Sequence, residues 1–210
     1  MKDYPFSLKL KNKFDPIINL DRIYEYGSGR HILEKVFENE NEISKLATED
    51  LKMLNTEKFK LQVIELFIVP YETSWTVLNL LKETAKLFFM YGGDNNSIME
   101  WYKIKYPTTE NVVYSNLDER KYWTPDTKSY KINDCELIHT SILQNSMFIN
   151  LSLPHRINNS NSSKKIHIIS CSFEDKQYEI ENNKNNDPMH HIKALSIEEA
   201  FNTYNNLIEK

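Results

Sequence analysis

The sequence predicts a mainly β fold of the α+β class, an antiparallel sandwich or jelly roll with helices before it and one after it. Three observations carry this expectation. Between Leu61 and Phe173, short runs rich in branched and aromatic residues recur at close intervals, separated by Asn, Gly and Pro. No strand, helix, strand alternation of the kind that builds a parallel sheet interrupts them. Near the C-terminus, Ser196-Ile197-Glu198-Glu199 forms a capping-box pattern that opens a helix.

In chain order, residues 1–30 mix short apolar stretches with Pro5, Pro16 and the break Gly27-Ser28-Gly29, which reads as a strand or two plus a loop. Ile32, Leu33, Val36 and Phe37 fall on one helical face and predict a helix within Ile32–Leu46. Thr48-Glu49-Asp50-Leu51 has the N-cap and acidic first turn of a second, short helix ending near Asn55. Strands are then predicted at Leu61–Val69, closed by Pro70, and at Trp75–Leu81, Ala85–Tyr91 and Ile98–Ile104, with Gly92-Gly93-Asp94-Asn95-Asn96 as the turn between the last two. A polar excursion, Lys105–Tyr130, carries Tyr114, Tyr122, Trp123 and Tyr130 and is expected to pack over the body of the protein. Further strands are expected at Cys135–Ser141, Phe148–Leu153 and Lys165–Phe173.

After an Asn-rich loop at Glu181–Asp187, the final helix, Ile197–Ile208, presents Ile197, Ala200, Phe201, Tyr204, Leu207 and Ile208 on one face. That face packs on the outside of the β core or offers a surface for an oligomer. The organisation is one domain in three parts: 1–60 with N-terminal strands, loops and helices, 61–178 as the β core, and 179–210 as the loop and C-terminal helix.

Composition narrows the partners. The chain has 210 residues and a net charge of −4, with 26 basic and 30 acidic residues spread along it. Nucleic acid is therefore not an expected partner, because phosphate binding needs clustered Lys and Arg. Apolar runs such as Leu66–Val69 and Leu87–Tyr91 are strand-sized, so no membrane span is expected. Met1-Lys2-Asp3-Tyr4-Pro5 starts no apolar leader segment, and two cysteines, Cys135 and Cys171, set no disulfide framework. The expectation is a soluble, cytoplasmic protein.

The chemistry-bearing stretch is Met147–Phe173, read as a β-hairpin. With a period of two, His155 shares a face with Leu153, Leu151 and Ile149, while Arg156 points the other way. A lone histidine among apolar residues is more often a satisfied core or rim residue than a ligand.

The run Leu151-Ser152-Leu153-Pro154-His155-Arg156-Ile157-Asn158-Asn159, followed by Ile169-Ser170-Cys171-Ser172-Phe173, resembles the C-terminal half of the aspartyl/asparaginyl β-hydroxylase-like proteins. These are Fe(II)/2-oxoglutarate oxygenases, with small members in phages and marine viruses. Phe67-Ile68-Val69-Pro70, the stretch Gly92–Tyr102 and Glu136-Leu137-Ile138-His139-Thr140-Ser141 agree in order and spacing, so the similarity spans about residues 61–173. The resemblance implies a double-stranded β-helix (a cupin-like jelly roll), an iron centre of His-x-Asp/Glu plus a distal His, and a basic residue for 2-oxoglutarate.

On that pattern His155 matches the distal iron ligand, and Lys165, ten positions on, stands where a cosubstrate-binding Arg is expected. A shift of one residue puts Ile166 there instead. Lysine offers a point charge without the bidentate fork of arginine. The first ligand pair falls at Leu78 and Leu80, and leucine has no lone pair to give a metal. Glu72 or Glu83 could serve only under a shifted alignment, and neither comes with a histidine beside it. A different metal site of His155, His139 and His167 is disfavoured, because Ile166 and Ile168 take the core face and turn His167 outward. His190-His191 reads as surface.

The resemblance with these departures implies an oxygenase-like jelly roll without the ordinary iron centre, a pseudoenzyme of phage or viral type that binds a protein or small molecule or has a structural role. No catalytic residue and no cofactor are expected on this reading, and its place is the host cytoplasm or a virion. The alternative is an active Fe(II)/2-oxoglutarate-dependent hydroxylase of a protein side chain or small molecule, with iron on His155 and the cosubstrate on Lys165.

Overall fold

The computed structural model of the chain describes residues 6–11, 29–32, 54–74, 77–80, 84–105, 127–143, 146–176 and 194–209; at 29–32, 62–65, 73–74, 78–80 and 127–129 only the backbone is described. The helices expected within Ile32–Leu46 and Thr48–Asn55, most of the Lys105–Tyr130 excursion, the Asn-rich loop, Glu83 and His190-His191 lie outside the described residues.

The described residues are mainly β. They form β1 (Ser7–Lys9), β2 (Gly29–Ile32), β3 (Phe59–Val69), β4 (Thr73–Ser74), β5 (Val77–Leu80), β6 (Ala85–Gly92), β7 (Ile98–Ile104), β8 (Thr127–Tyr130), β9 (Cys135–Ile142), β10 (Ser146–Asn150), β11 (His155–Asn159), β12 (Ile166–Asp175) and one helix, α1 (Ile197–Thr203). A single 3-10 turn, Ile132–Asp134, leads into β9. All pairings are antiparallel: one sheet runs β1-β10-β6-β12-β3-β2, the other β8-β5-β11-β7-β9 with β4 also on β11.

Two apolar layers follow from strand alternation. One draws Val69, Phe88, Met147, Ile149, Ile166 and Ile168 from the first sheet and Met99, Trp101 and Ile157 from the second, so it fills the space between them. The other covers the opposite face of the first sheet with α1: Leu61, Leu87, Phe148, Ile169 and Phe173 meet Ile197, Ala200 and Tyr204. A side chain of leucine size buried in either layer stabilises the fold by roughly 2 kcal/mol relative to exposure.

The Met147–Phe173 segment is not a hairpin. β10 and β12 belong to the first sheet, and β11 between them belongs to the second. Asn150 makes the first change of direction, its Oδ1 accepting from Ser152 N–H at 3.0 Å and Ser152 Oγ at 2.6 Å. This turn formed by the Asn side chain ends β10 three residues before the expected Leu153. The second change rests on Asn159, fully buried, whose Nδ2 donates to Pro70 O at 2.7 Å and Lys164 O at 3.1 Å and whose Oδ1 accepts from Ser97 Oγ. Asn158 and Asn159, which fall in none of the expected strands, thus supply the end of one.

The Gly92–Asn96 turn is as expected, with Gly92, Gly93 and Asn95 at φ of 76°, 74° and 66°. A Cβ at Gly92 would come within 3.1 Å of Lys165 O at a positive φ, so any other residue there is strained. Asp94 locks this turn to the β11–β12 loop by accepting from Ser163 N–H at 2.8 Å and Ser163 Oγ at 2.9 Å. At the other end of the chain, α1 stops at Thr203 rather than Ile208. Tyr204 leaves helical geometry, Asn205-Asn206 follow in turns, and Ile208 forms an antiparallel bridge with Leu10. Phe201, expected on the apolar face, is 44% exposed.

Candidate functional site

His155 is the first residue of β11, and proline before it fixes the approach of the chain. The register sets His155 opposite Trp101 of β7 on one side and Leu78 of β5 on the other. Trp101 in turn faces His139 of β9. Residues directly opposite on neighbouring strands share a face, so His155, Trp101 and His139 stand on the side of the second sheet that meets the first. The inward placement of His155 agrees with the period-two expectation, although a turn, not one continuous strand, joins it to Ile149.

His155 is 8% exposed, and its Nδ1–H donates to Leu153 O at 2.7 Å. A carbonyl oxygen only accepts, so the neutral ring carries its lone pair on Nε2. Burial pushes the imidazole pKa down to about 4; the Leu153 hydrogen bond opposes this and the Lys86 charge adds to it. His155 is therefore neutral at physiological pH, a hydrogen-bond acceptor or donor of a lone pair rather than a cation. Trp101 beside it is fully buried, with Nε1–H donating to Asn150 O at 2.7 Å.

The other candidates lie apart from His155. Lys165 is exposed beyond the far end of β11, next to Lys164, whose carbonyl Asn159 holds. Ile166, not Lys165, takes the inward position there. Glu72 is exposed in the turn after β3, with φ of 54° and its N–H on Ser162 O. His167 faces away from the space between the sheets, as the placement of Ile166 and Ile168 implies, but it is buried, and burial lowers its pKa. His139 stacks on Phe6 with centroids 4.3 Å apart and an interplanar angle of 10°. Cys135 and Cys171 are both buried, and neither is in a disulfide. Among the described residues, no three His, Cys, Asp or Glu side chains gather as metal ligands would.

Sequence reasoning missed a polar cluster on the opposite face of the same strands. Arg156 Nε and the Tyr102 hydroxyl both donate to Glu100 Oε2, and Asn158 Nδ2 donates to Oε1 at 2.9 Å. The Arg156 guanidinium also lies 5.7 Å from the centre of the Tyr102 ring. Burial alone would raise the Glu100 pKa, but the hydrogen bonds from Arg156, Tyr102 and Asn158 outweigh it and the net shift is downward. The available signal was Glu100 itself, a carboxylate between Met99 and Trp101 in an otherwise apolar strand. Its partner could be named only once β11 was placed beside β7.

No protein-family model matches this chain, and no curated protein matches it. The geometry around His155 therefore stands by itself: one neutral imidazole, buried against tryptophan, with an apolar layer in front of it. No described helix is long and apolar enough to cross a membrane.

Proposed function

We propose that this chain is a binding or structural protein built on an oxygenase-type jelly roll and lacking an iron centre at His155. The path of the chain supports the jelly-roll reading. From β3 onward it passes repeatedly between the sheets, with β3, β6, β10 and β12 in one and β5, β7, β9 and β11 in the other. A jelly roll lays out its eight strands in this interleaved way.

The observation that carries the functional reading is the register between β5 and β11. It sets Leu78 beside His155, at the place where the resemblance calls for the first iron ligand. A hydrocarbon side chain cannot complete a first-row metal site, and iron selectivity needs several donors at fixed geometry. The layer between the sheets, with Met99, Ile157 and Ile168, suits a packed core around His155. On this reading His155 anchors the β10–β11 turn through Leu153, and recognition belongs to the outer surface.

One observation favours the alternative of an active hydroxylase. A neutral imidazole with Nδ1 held by a carbonyl and Nε2 left as the lone-pair donor is the form in which histidine binds metals. Anaerobic titration with Fe(II) and 2-oxoglutarate separates the two. The proposal expects neither a visible charge-transfer band nor a rise in melting temperature at millimolar cosubstrate. A band together with a thermal shift overturns it.

A further inference from the structure

Two stretches far apart in the chain, 6–11 and 206–209, lie side by side at one edge of the first sheet. Residues along an antiparallel strand turn their backbone groups to alternate sides. Phe6 and Leu10 face β10: Phe6 O accepts from Asn150 N–H at 2.9 Å, and Leu10 N–H donates to Ser146 O at 2.8 Å. Lys9 and Lys11 face the other way. There Lys9 O accepts from Glu209 N–H at 2.9 Å, and Lys11 N–H donates to Leu207 O at 2.8 Å. Lys11 Nζ adds a bond to Asn206 O at 2.6 Å. The stretch after α1 thus pairs with the outer side of β1, with Ile208 bridged to Leu10 and both side chains buried.

The other end of residues 6–11 reaches the second sheet. Phe6 stacks on His139 of β9, and its ring centre lies 5.4 Å from that of Trp101 at an interplanar angle of 49°. Ser7 Oγ donates to Ser141 Oγ at 3.4 Å. Phe6 and Ser7 therefore fill the seam between β10 of one sheet and β9 of the other, and Phe6 packs against the layer that holds Trp101. Both are only half-buried, whereas β6 and β12 behind them are paired on both sides. Were β1 to leave, β10 would keep its whole ladder to β6, from Ser146–Phe89 to Asn150–Ala85. An edge element of this kind opens at lower free energy than the strands it covers.

We propose that residues 6–11 and 206–209 open and close as one unit, a latched side wall on the layer between the sheets. The latch acts through the backbone. Pairing with Leu207 and Glu209 holds Lys9–Lys11 extended and in register with β10, and that register sets Phe6 over Trp101. Leu8 and Leu10, buried in the layer under α1 with Ile208, keep the wall shut. When the latch parts, Phe6 leaves the seam, and the indole of Trp101 becomes reachable from solvent while β6, β12 and the rest of the sandwich stay folded. The inference goes beyond the binding reading and does not depend on whether His155 holds iron.

Native-state amide hydrogen exchange of the full chain, followed by NMR over a series of low urea concentrations, tests it. Asn150 N–H reports the Phe6 end, and Lys11 and Glu209 N–H report the latch. The expected result is one shared opening free energy for all three, lower than that of the β12 amides. Lys11→Pro removes the N–H given to Leu207 and no bond to β10, and Phe6→Ala empties the seam. Each is expected to speed exchange at both ends by about tenfold or more, with the β12 amides unchanged. A soluble paramagnetic agent should then broaden the Trp101 indole signal more strongly in both variants than in the unaltered chain. Two results overturn the proposal: each substitution loosening its own end alone, or all three amides exchanging only together with β12.

Discussion

Arg156 of β11 and Glu100 of β7 meet directly across the strand pair, Nε to Oε2, with their side chains 17% and 7% exposed. Removing one partner strands the other, because Glu100 would keep only Tyr102 and Asn158 as donors. Arg156→Ala is expected to destabilise by about 3 kcal/mol, measured by urea denaturation at neutral pH. The Glu100 carboxyl has a folded pKa below its unfolded value, so its contribution is complete above the ordinary glutamate range and declines as pH falls through the lowered value. In Arg156→Ala the folded pKa moves back up toward the unfolded value, so that acid-side decline is expected to be smaller.

His155 titrates in a different window. Its pKa falls from 6.5 unfolded to about 4 folded, so the unfolded chain binds the proton first. Stability is unaffected above pH 6.5 and is lost progressively down to pH 4, by about 3 kcal/mol in all. Asn at this position can still donate to Leu153 O through Nδ2 and has no charge to gain. His155→Asn is therefore expected to flatten the melting-temperature profile between pH 6.5 and pH 4, and an unchanged profile would show that the slope arises elsewhere.

The register beside His155 gives a gain-of-binding prediction. With Leu78→His and Leu80→Asp together, β5 would carry two donor residues, at the position facing β11 and two residues beyond it. If the scaffold reading holds, this double variant acquires a Co(II) ligand-field spectrum that the unaltered chain lacks. Adding His155→Asn should then abolish the spectrum.

The helix cap can be tested separately. Ser196 Oγ accepts from Glu199 N–H at 3.2 Å while Glu199 Oε2 accepts from Ser196 N–H at 3.1 Å, and Lys58 Nζ adds a bond to Glu199 Oε1 at 2.7 Å. Ser196→Ala is expected to cost about 1 kcal/mol, read as a lower denaturation midpoint with an unchanged slope.

What the sequence disclosed and what it hid divide along the range of the interactions. Ile98–Ile104 and the Gly92–Asn96 turn were readable because alternation and left-handed turn residues act locally. The capping box at Ser196 was equally local, whereas the end of α1 depended on Leu10, nearly two hundred positions away in the chain. β11 was missed as a strand because Asn158 and Asn159 signal a loop by composition, and only the buried carbonyls of Pro70 and Lys164 make Asn159 a strand residue. At the candidate site the inward position of His155 was legible from alternation. Its neighbours were not, since Trp101 and the Glu100–Arg156 pair depend on register between strands some fifty residues apart.

The place of β12 in the first sheet has a kinetic consequence. β3 and β6 are not hydrogen-bonded to each other; β12 lies between them and pairs with both, Ile169 facing Leu66 on one side and Phe89 on the other. On the ribosome, β3 and β6 therefore wait with one edge each unfilled until the chain beyond Asp175 has emerged. Contacts of such long sequence separation place folding in the millisecond-to-second range. Nascent chains shorter than this should be chaperone-dependent and prone to aggregate, with cooperative structure arriving in a single late step.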